Sequence, residues 1–344
     1  EEEIEGTVKM WWQRKPFRLC LNCGEFYEKK EGEFTKLAYL SSEGRSSATT
    51  ITAVSLLHQS KELGSVRDKL LSFTDNRQDA SLQAGHFNDF VQLSILRSAL
   101  VHSLRENGEL RFHNVADEVV KRTGLKLSDI ARMKEIEESS PEAKNVWDTF
   151  TELTLYRLFA DLRRGWRFTQ PNLEHLGLLR IDYEGLKELC ENEEIWQGNE
   201  SGKMREKSSG ERERILRVFL DHFRHKLAIS NKILNPEYQK QLKRRVVHHI
   251  NDFWGLESEE EPMRSASLFV LYGRGPKDIP ALRSEMRFSL SDKSLLGKFL
   301  IRELGLALSE YNSFIKWLLD ILVKQGFLEQ FAFESHQCYR LNSS

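Results

Sequence analysis

Lys69-Leu70-Leu71-Ser72-Phe73-Thr74-Asp75-Asn76-Arg77-Gln78-Asp79-Ala80-Ser81-Leu82-Gln83-Ala84-Gly85-His86 is the stretch from which the fold is read. A short apolar run ends at Asp75. Beyond it Ala80, Ala84, Phe87, Val91, Ile95 and Leu96 recur at helical spacing. The pattern predicts a buried strand over 69–75 and a long helix from Asn76 to Arg105. Asn76, Arg77 and Gln78 then sit on the turn that opens the helix. In open α/β folds ligands bind at the carboxyl ends of strands, and a helix N-terminus favours phosphate. Arg77, Gln78 and the Thr74 hydroxyl are donors suited to that place. A plainer reading is a capped helix start, with Asp75 as cap and Arg77 paired to Asp79.

Upstream, residues 8–40 read as short strands and turns, and Gly44 to Leu57 as a helix capped by Ser46 or Ser47. Downstream, 112–122 and 127–138 read as short helices. Asp117-Glu118 resembles an acidic metal box but lies in an amphipathic pattern and reads as a solvated helix face. Glu142 to Arg164 is a longer helix, apolar at Val146, Phe150, Leu153, Leu158 and Leu162. Residues 198–210 read as a linker. Two helices follow, one carrying Ile215, Phe219, Phe223 and Leu227, the other Tyr238, Leu242, Val246, Ile250 and Phe253. Asn235-Pro236 between them predicts a helical hairpin. The chain closes with helices over 294–304 and 309–324, Gly326, and strands over 327–333 and 338–341. Helix, helix and two-strand ribbon is the pattern of a winged helix.

The chain has 344 residues, 51 basic against 52 acidic, for a net charge of -1, so any nucleic-acid signal must be local. No apolar run approaches the ~20 residues of a membrane span. Four cysteines in this length predict a reducing, cytoplasmic setting rather than a disulfide scaffold. The opening Glu1-Glu2-Glu3, without an initiator Met, suggests a fragment or a trimmed product. No GxxxxGK[ST] loop, HExxH helix or GxSxG elbow occurs. A binding or coupling role fits better than a free-standing catalyst.

Phe73-Thr74-Asp75-Asn76-Arg77-Gln78-Asp79-Ala80, followed by Leu82-Gln83-Ala84-Gly85-His86-Phe87-Asn88-Asp89-Phe90, resembles the motif that opens the second RecA-like lobe in a group of large bacterial superfamily 2 helicase-like ATPases, many of them DEAD/DEAH-box helicases. Ser42-Glu43-Gly44-Arg45-Ser46-Ser47-Ala48-Thr49-Thr50 resembles the same group. So does Arg164-Gly165-Trp166-Arg167-Phe168-Thr169-Gln170-Pro171-Asn172-Leu173-Glu174 with Gly177-Leu178-Leu179. The likeness covers roughly residues 17–185. It implies a parent protein with two RecA-like lobes, ATP and Mg between them and DNA across their top. The phosphate loop and acidic box would lie upstream and the arginine-finger motif downstream. The chain is therefore expected to be a middle fragment that does not hydrolyse ATP alone. The resemblance further implies that Thr74, Asp75, Asn76, Arg77 and Gln78 face nucleic acid or the cleft between lobes, with Arg45 a second candidate.

Three further constellations stand beside it. Cys20 and Cys23, followed by Gly24, have the spacing of one zinc knuckle, but a structural zinc needs four ligands and Cys190 and Cys338 are distant. The pair is either half of a zinc site or two reduced thiols in a turn. Residues 201–249 hold thirteen Lys/Arg against five Asp/Glu, a net +8. Arg212, Arg214, Arg217, Arg224, Lys240, Lys243, Arg244 and Arg245 fall mostly off the apolar stripes, as a phosphate-binding face would. The opposite reading is a helix face balanced by the acidic stretches around it, of which 182–200 holds seven acids and one Lys. His222, His225, His248 and His249 read as surface residues, with neither carboxylate nor Cys completing a metal set. In the winged helix, Lys316, Lys324, His336 and Arg340 are the available contacts, a thin basic complement that equally suits packing against protein.

The expected fold is mainly α with small β elements. It comprises a CxxC-containing segment and connecting helix (1–62), a partial RecA-like strand–helix unit (63–110), a helical insertion (111–200), a basic hairpin (201–262) and a winged-helix-like domain (263–344). The expected function is nucleic-acid binding and coupling within an ATP-dependent superfamily 2 DNA helicase or translocase. Its partners would be single-stranded or forked DNA and the rest of the motor. The alternative is a non-enzymatic winged-helix module for DNA or protein.

Overall fold

The computed structural model describes residues 44–63, 77–164, 172–197, 202–256, 263–271, 287–333 and 336–343; for 44–48, 77–87, 89, 163 and 164 it describes the backbone only. The expected strand over 69–75 and both knuckle cysteines lie outside the described residues. What is described is mainly helical, with a small mixed sheet of five strands.

Helix α1 spans Gly44–Glu62 and α2 Arg77–Asn107, so the long helix expected after Asp75 is present and begins at Arg77. The far half of α2 buries Leu96, Ala99 and Ser103, three or four residues apart, as one helical stripe must. That stripe meets α3 (Val115–Arg122), which buries Ala116, Val119 and Val120. Asp117 and Glu118 point away from this seam, and Glu118 pairs with Lys121 at 2.8 Å. Helix α4 is only Leu127–Ile130, not the helix expected over 127–138. Ala131 turns extended and bridges Ile250, while the Arg132 N–H donates to the His249 carbonyl, so the backbone leaves the helix to pair with a distant strand-like segment.

Helix α5 (Pro141–Arg164) starts with Pro in its first turn, after Ser140, whose hydroxyl accepts from Ala143 N. Its Val146, Phe150 and Leu153 are fully buried. Helices α3 and α4 pack on it, and so do two later ones. After α6 (Leu186–Glu191) and α7 (Gly202–Arg205) comes α8 (Ser209–His225), opened by a reciprocal Ser208/Glu211 cap. Ile215, Phe219, Phe223 and Leu227 are buried as expected, but so is every residue from Val218 to His225. The C-terminal half of α8 is thus interior, while Gly210, Glu211 and Arg214 nearer its start are exposed.

Strand β1 (Ile229–Ser230) and a 3-10 turn lead to α9 (Pro236–His249), capped by Asn235. Leu242, Val246 and Ile250 are buried, whereas Phe253 is 37% exposed because the helix ends at His249 and the stripe ends with it. The expected hairpin is not formed as a pair. Helix α9 packs chiefly against α5, whereas α8 packs first against α6 and then against α5.

Strands β2 (Leu268–Val270) and β3 (Arg287–Ser289) are parallel neighbours. Then come α10 (Leu295–Leu304), α11 (Tyr311–Lys324), β4 (Leu328–Phe333) and β5 (His336–Asn342). Strands β4 and β5 form an antiparallel ribbon in register from Leu328↔Leu341 to Phe333↔His336. On its other edge β5 takes β2 antiparallel and, further along, β1 parallel. Gly305, at φ 63°, lets the chain leave α10 in the left-handed region.

One face of this sheet joins the helices. Phe269 stacks on Phe223 of α8 with ring centroids 4.0 Å apart, and Tyr339 and Leu341 enter the same core. Among the described residues one large hydrophobic core runs from Leu96 to Leu341, beside a small second cluster of Leu268, Val270 and Cys338. The large cluster draws residues from both sides of positions 110, 200 and 262. No described helix is long and apolar enough to cross a membrane.

Candidate functional site

Of the residues expected at the lobe-opening motif, Arg77 and Gln78 occupy the first turn of α2 and Arg45 the first turn of α1. Thr74, Asp75 and Asn76 lie outside the described residues, as do Cys20 and Cys23. Asn172 to Glu174, the end of the third quoted stretch, makes several contacts within the fold. Asn172 caps its own turn by accepting from His175 N at 2.9 Å and donates to the Asp161 carbonyl. Asp161 in turn accepts two hydrogen bonds from Arg97, at 2.6 and 3.0 Å, joining α5 to α2.

Two residues on, Glu174 accepts two 2.8 Å hydrogen bonds from Arg224 of α8. The same guanidinium donates to Asp221 at 2.8 Å, and Asp221 accepts from the Tyr183 hydroxyl at 2.8 Å. His225 Nε2 lies 3.7 Å from Glu174. Burial opposes ionisation of Glu174, but His225 and Arg224 beside it outweigh burial and hold the carboxyl down at about 2. Burial raises the Tyr183 hydroxyl well above its ordinary range. It also lowers His222 to about 3, helped by Lys226 and His225, so this imidazole stays neutral. His222 and His225 are buried, not surface residues, because α8 is enclosed on all sides at its C-terminal end.

The expected basic face is divided by the same packing. Arg212 is 1% exposed: it donates to Glu193 at 2.6 and 3.0 Å and to the carbonyls of Met204, Cys190 and Arg205, over the ring of Trp196. Arg217 meets Asp182 at 2.7 Å and Glu213 at 2.8 Å. Arg214 reaches Glu303 of α10 at 2.7 Å. Arg245 pairs with Glu152, which also accepts from Lys232 at 2.9 Å and from the Tyr238 hydroxyl at 2.5 Å. Arg212, Arg214, Arg217, Arg224 and Arg245 are thus spent within the fold, most of them on the acidic stretch between Glu174 and Glu193. A helical wheel marks these positions as polar but cannot tell whether they meet water or a carboxylate.

What faces outward is narrower. On α9, Lys240 and Arg244 are exposed and Lys243 half-buried, one turn apart along the helix. Lys240 makes only a surface pair with Glu237. On α11, Lys316 and Lys324 are exposed with Asp320 between them. Arg340 is turned onto the sheet, donating to the Ser267 carbonyl at 2.9 Å and lying 4.8 Å from the Phe331 ring centroid. His336 is half-buried at the end of the ribbon.

Comparison with protein-family models, with curated proteins and with solved structures gives no match.

One grouping was missed by the linear reading. Glu142, in the first turn of α5, lies against His248 and His249 at the end of α9, with one ligand atom from each within 4.8 Å of the others. The expectation that no carboxylate joins the histidines is corrected here. The packing of α5 on α9 brings it, across more than a hundred residues of chain that spacing arguments cannot bridge.

Proposed function

We propose that this chain is the coupling and nucleic-acid-binding region of an ATP-dependent superfamily 2 DNA helicase or translocase. The observation that carries the reading is α2. It is one uninterrupted 31-residue helix that begins at the Arg77 end of the motif and, over its far half, buries Leu96, Ala99 and Ser103 against the helical body before ending at the surface at Asn107. At 1.5 Å per residue it spans about 45 Å. A displacement at a nucleotide- or DNA-facing motif is passed along such a rod to α3 and, through Arg97–Asp161, to α5. Two of the recognised stretches thus bear on one body: the first opens α2, and the third ends at Asn172 and Glu174, which hold α5 and α8.

The C-terminal unit fits a winged helix. Two helices precede an antiparallel ribbon, and a third strand lies antiparallel on the free edge of β5. Its outward helix carries Lys316, Asp320 and Lys324, a nearly neutral stripe. That favours packing against protein over groove binding for this unit, and leaves Lys240, Lys243 and Arg244 of α9 as the main DNA contact.

The test is the salt dependence of binding of this chain to single-stranded, duplex and forked DNA. Three phosphate contacts give a slope of log K against log salt of about -3, whereas eight give about -7. A slope near -3, with forked DNA preferred, supports the reading. In the full-length protein, Arg77→Ala is expected to leave DNA-independent ATPase in place and remove its stimulation by DNA. Unchanged stimulation would favour the non-enzymatic winged-helix module, in which Arg77 is an ordinary surface residue.

A further inference from the structure

We propose that Glu142, His248 and His249 form a binding site for a divalent transition-metal ion of the zinc class, pinning the start of α5 to the end of α9. The donor set is two imidazoles and one carboxylate, the combination that zinc accepts when three protein ligands leave a fourth position to water. The Glu142–His249 edge agrees with it, and the His248 ligand atom lies within 4.8 Å of both. Glu142 Oε1 and His249 Nδ1 are 3.4 Å apart. That is longer than a good N–H···O hydrogen bond but close to the edge of a zinc tetrahedron, about 3.4 Å for metal–ligand bonds near 2.1 Å. The His248 and His249 rings are 4.8 Å apart and nearly perpendicular, so they do not stack and exclude an ion from the space beside them.

The surroundings hold these side chains in place. The His249 side chain is 13% exposed, and its carbonyl accepts from Arg132 N at 2.9 Å. Two cations beside His249 are engaged elsewhere: Arg132 with the Val247 carbonyl and Asp252, Arg245 with Glu152. The carboxylate comes from the first turn of one helix and the imidazoles from the last turn of its principal neighbour. A bound ion therefore links two separate elements rather than decorating one.

The experiment uses the whole chain carrying C20S and C23S, so that the CxxC thiols do not compete, titrated with ZnCl2 by calorimetry and with CoCl2 by absorption. The expected result is one ion per chain. Cobalt should show d–d bands without a thiolate charge-transfer band, and zinc should raise the melting temperature. Changing partners that merely orient a ligand weakens metal binding about 10–100-fold. Removing a ligand, in His248→Ala or Glu142→Gln, is expected to weaken it at least that much and to abolish the zinc-dependent rise in melting temperature. Both positions are accessible to solvent, so the metal-free variants should melt as the parent does. Binding that survives both substitutions would be adventitious, and either that result or the absence of a bound ion overturns the proposal.

Discussion

Arg224 holds Glu174 through two parallel 2.8 Å hydrogen bonds between groups that are both largely buried, fifty residues apart in the chain. The pair ties the loop after α5 to the interior half of α8. Asp221 accepts from the same guanidinium, so one cation neutralises two carboxylates. Arg224→Ala leaves both acids without their partner. The expected loss is about 3–5 kcal/mol, the usual penalty for breaking a buried pair from one side. Urea unfolding measures it, and a loss below about 1 kcal/mol would show that the network is hydrated.

Stability should fall with acid in two stages. His222 has its pKa lowered to about 3 in the folded chain, from an ordinary 6.5. Between those values the unfolded chain binds a proton that the folded chain refuses, so stability drops as pH falls below about 6.5. Glu174 has its pKa lowered to about 2 from 4.5, so its contribution is complete above the ordinary value and disappears as pH falls from there towards 2. Thermal unfolding across this range should show a gentle slope that steepens below about pH 4.5. His222→Phe is expected to flatten the upper stage and leave the lower one; an unchanged upper slope would assign it to another group.

Gly297 is required by contact rather than by backbone angle. A Cβ placed there would lie 2.2 Å from the Ser291 carbonyl oxygen and 3.0 Å from Asp292 Cα, both main-chain atoms that cannot swing aside. Gly297→Ala therefore forces the turn before α10 away from the helix, despite alanine's better helix propensity. A loss of about 1–3 kcal/mol is expected, as for overpacking elsewhere. A melting temperature at or above that of the parent would mean that the turn relaxes freely.

Two arginines of the same basic segment should behave oppositely. Arg244→Ala removes an exposed charge and is expected to reduce the salt slope of DNA binding by about 1, with stability unchanged. Arg212→Ala removes a buried guanidinium with carbonyl and carboxylate partners. It should destabilise strongly and leave the salt slope of any folded fraction alone. Equal effects on the slope would return Arg212 to the binding surface.

Helix positions were legible wherever apolar periodicity met a cap: α5 behind Ser140-Pro141, α9 behind Asn235-Pro236, and α10 behind Ser294 all begin within a residue or two of where the pattern places them. The C-terminal ribbon was legible too, since Gly326 and alternating apolar residues mark it locally. The short α4 was not, because the bridge of Ala131 to Ile250 is a pairing across the whole insertion. The fate of the arginines was hidden for the same reason. Charge counts along 201–249 register thirteen cations, but only the tertiary approach of Glu174, Asp182 and Glu193 determines which reach solvent. Glu142 carried no signal at all until α5 met α9.

The stacking of Phe223 on Phe269, with the pairing of Ile229 to Leu341, has a consequence for how this chain can be cut and recombined. The helix pair and ribbon look portable, yet their sheet borrows a strand and an aromatic partner from the segment before them. A gene fragment starting at Met263 would leave Phe269 and Leu341 facing solvent, and its product should aggregate. Grafting this end onto another protein, or shuffling it by recombination, succeeds only if α8 and the strand after it travel with it.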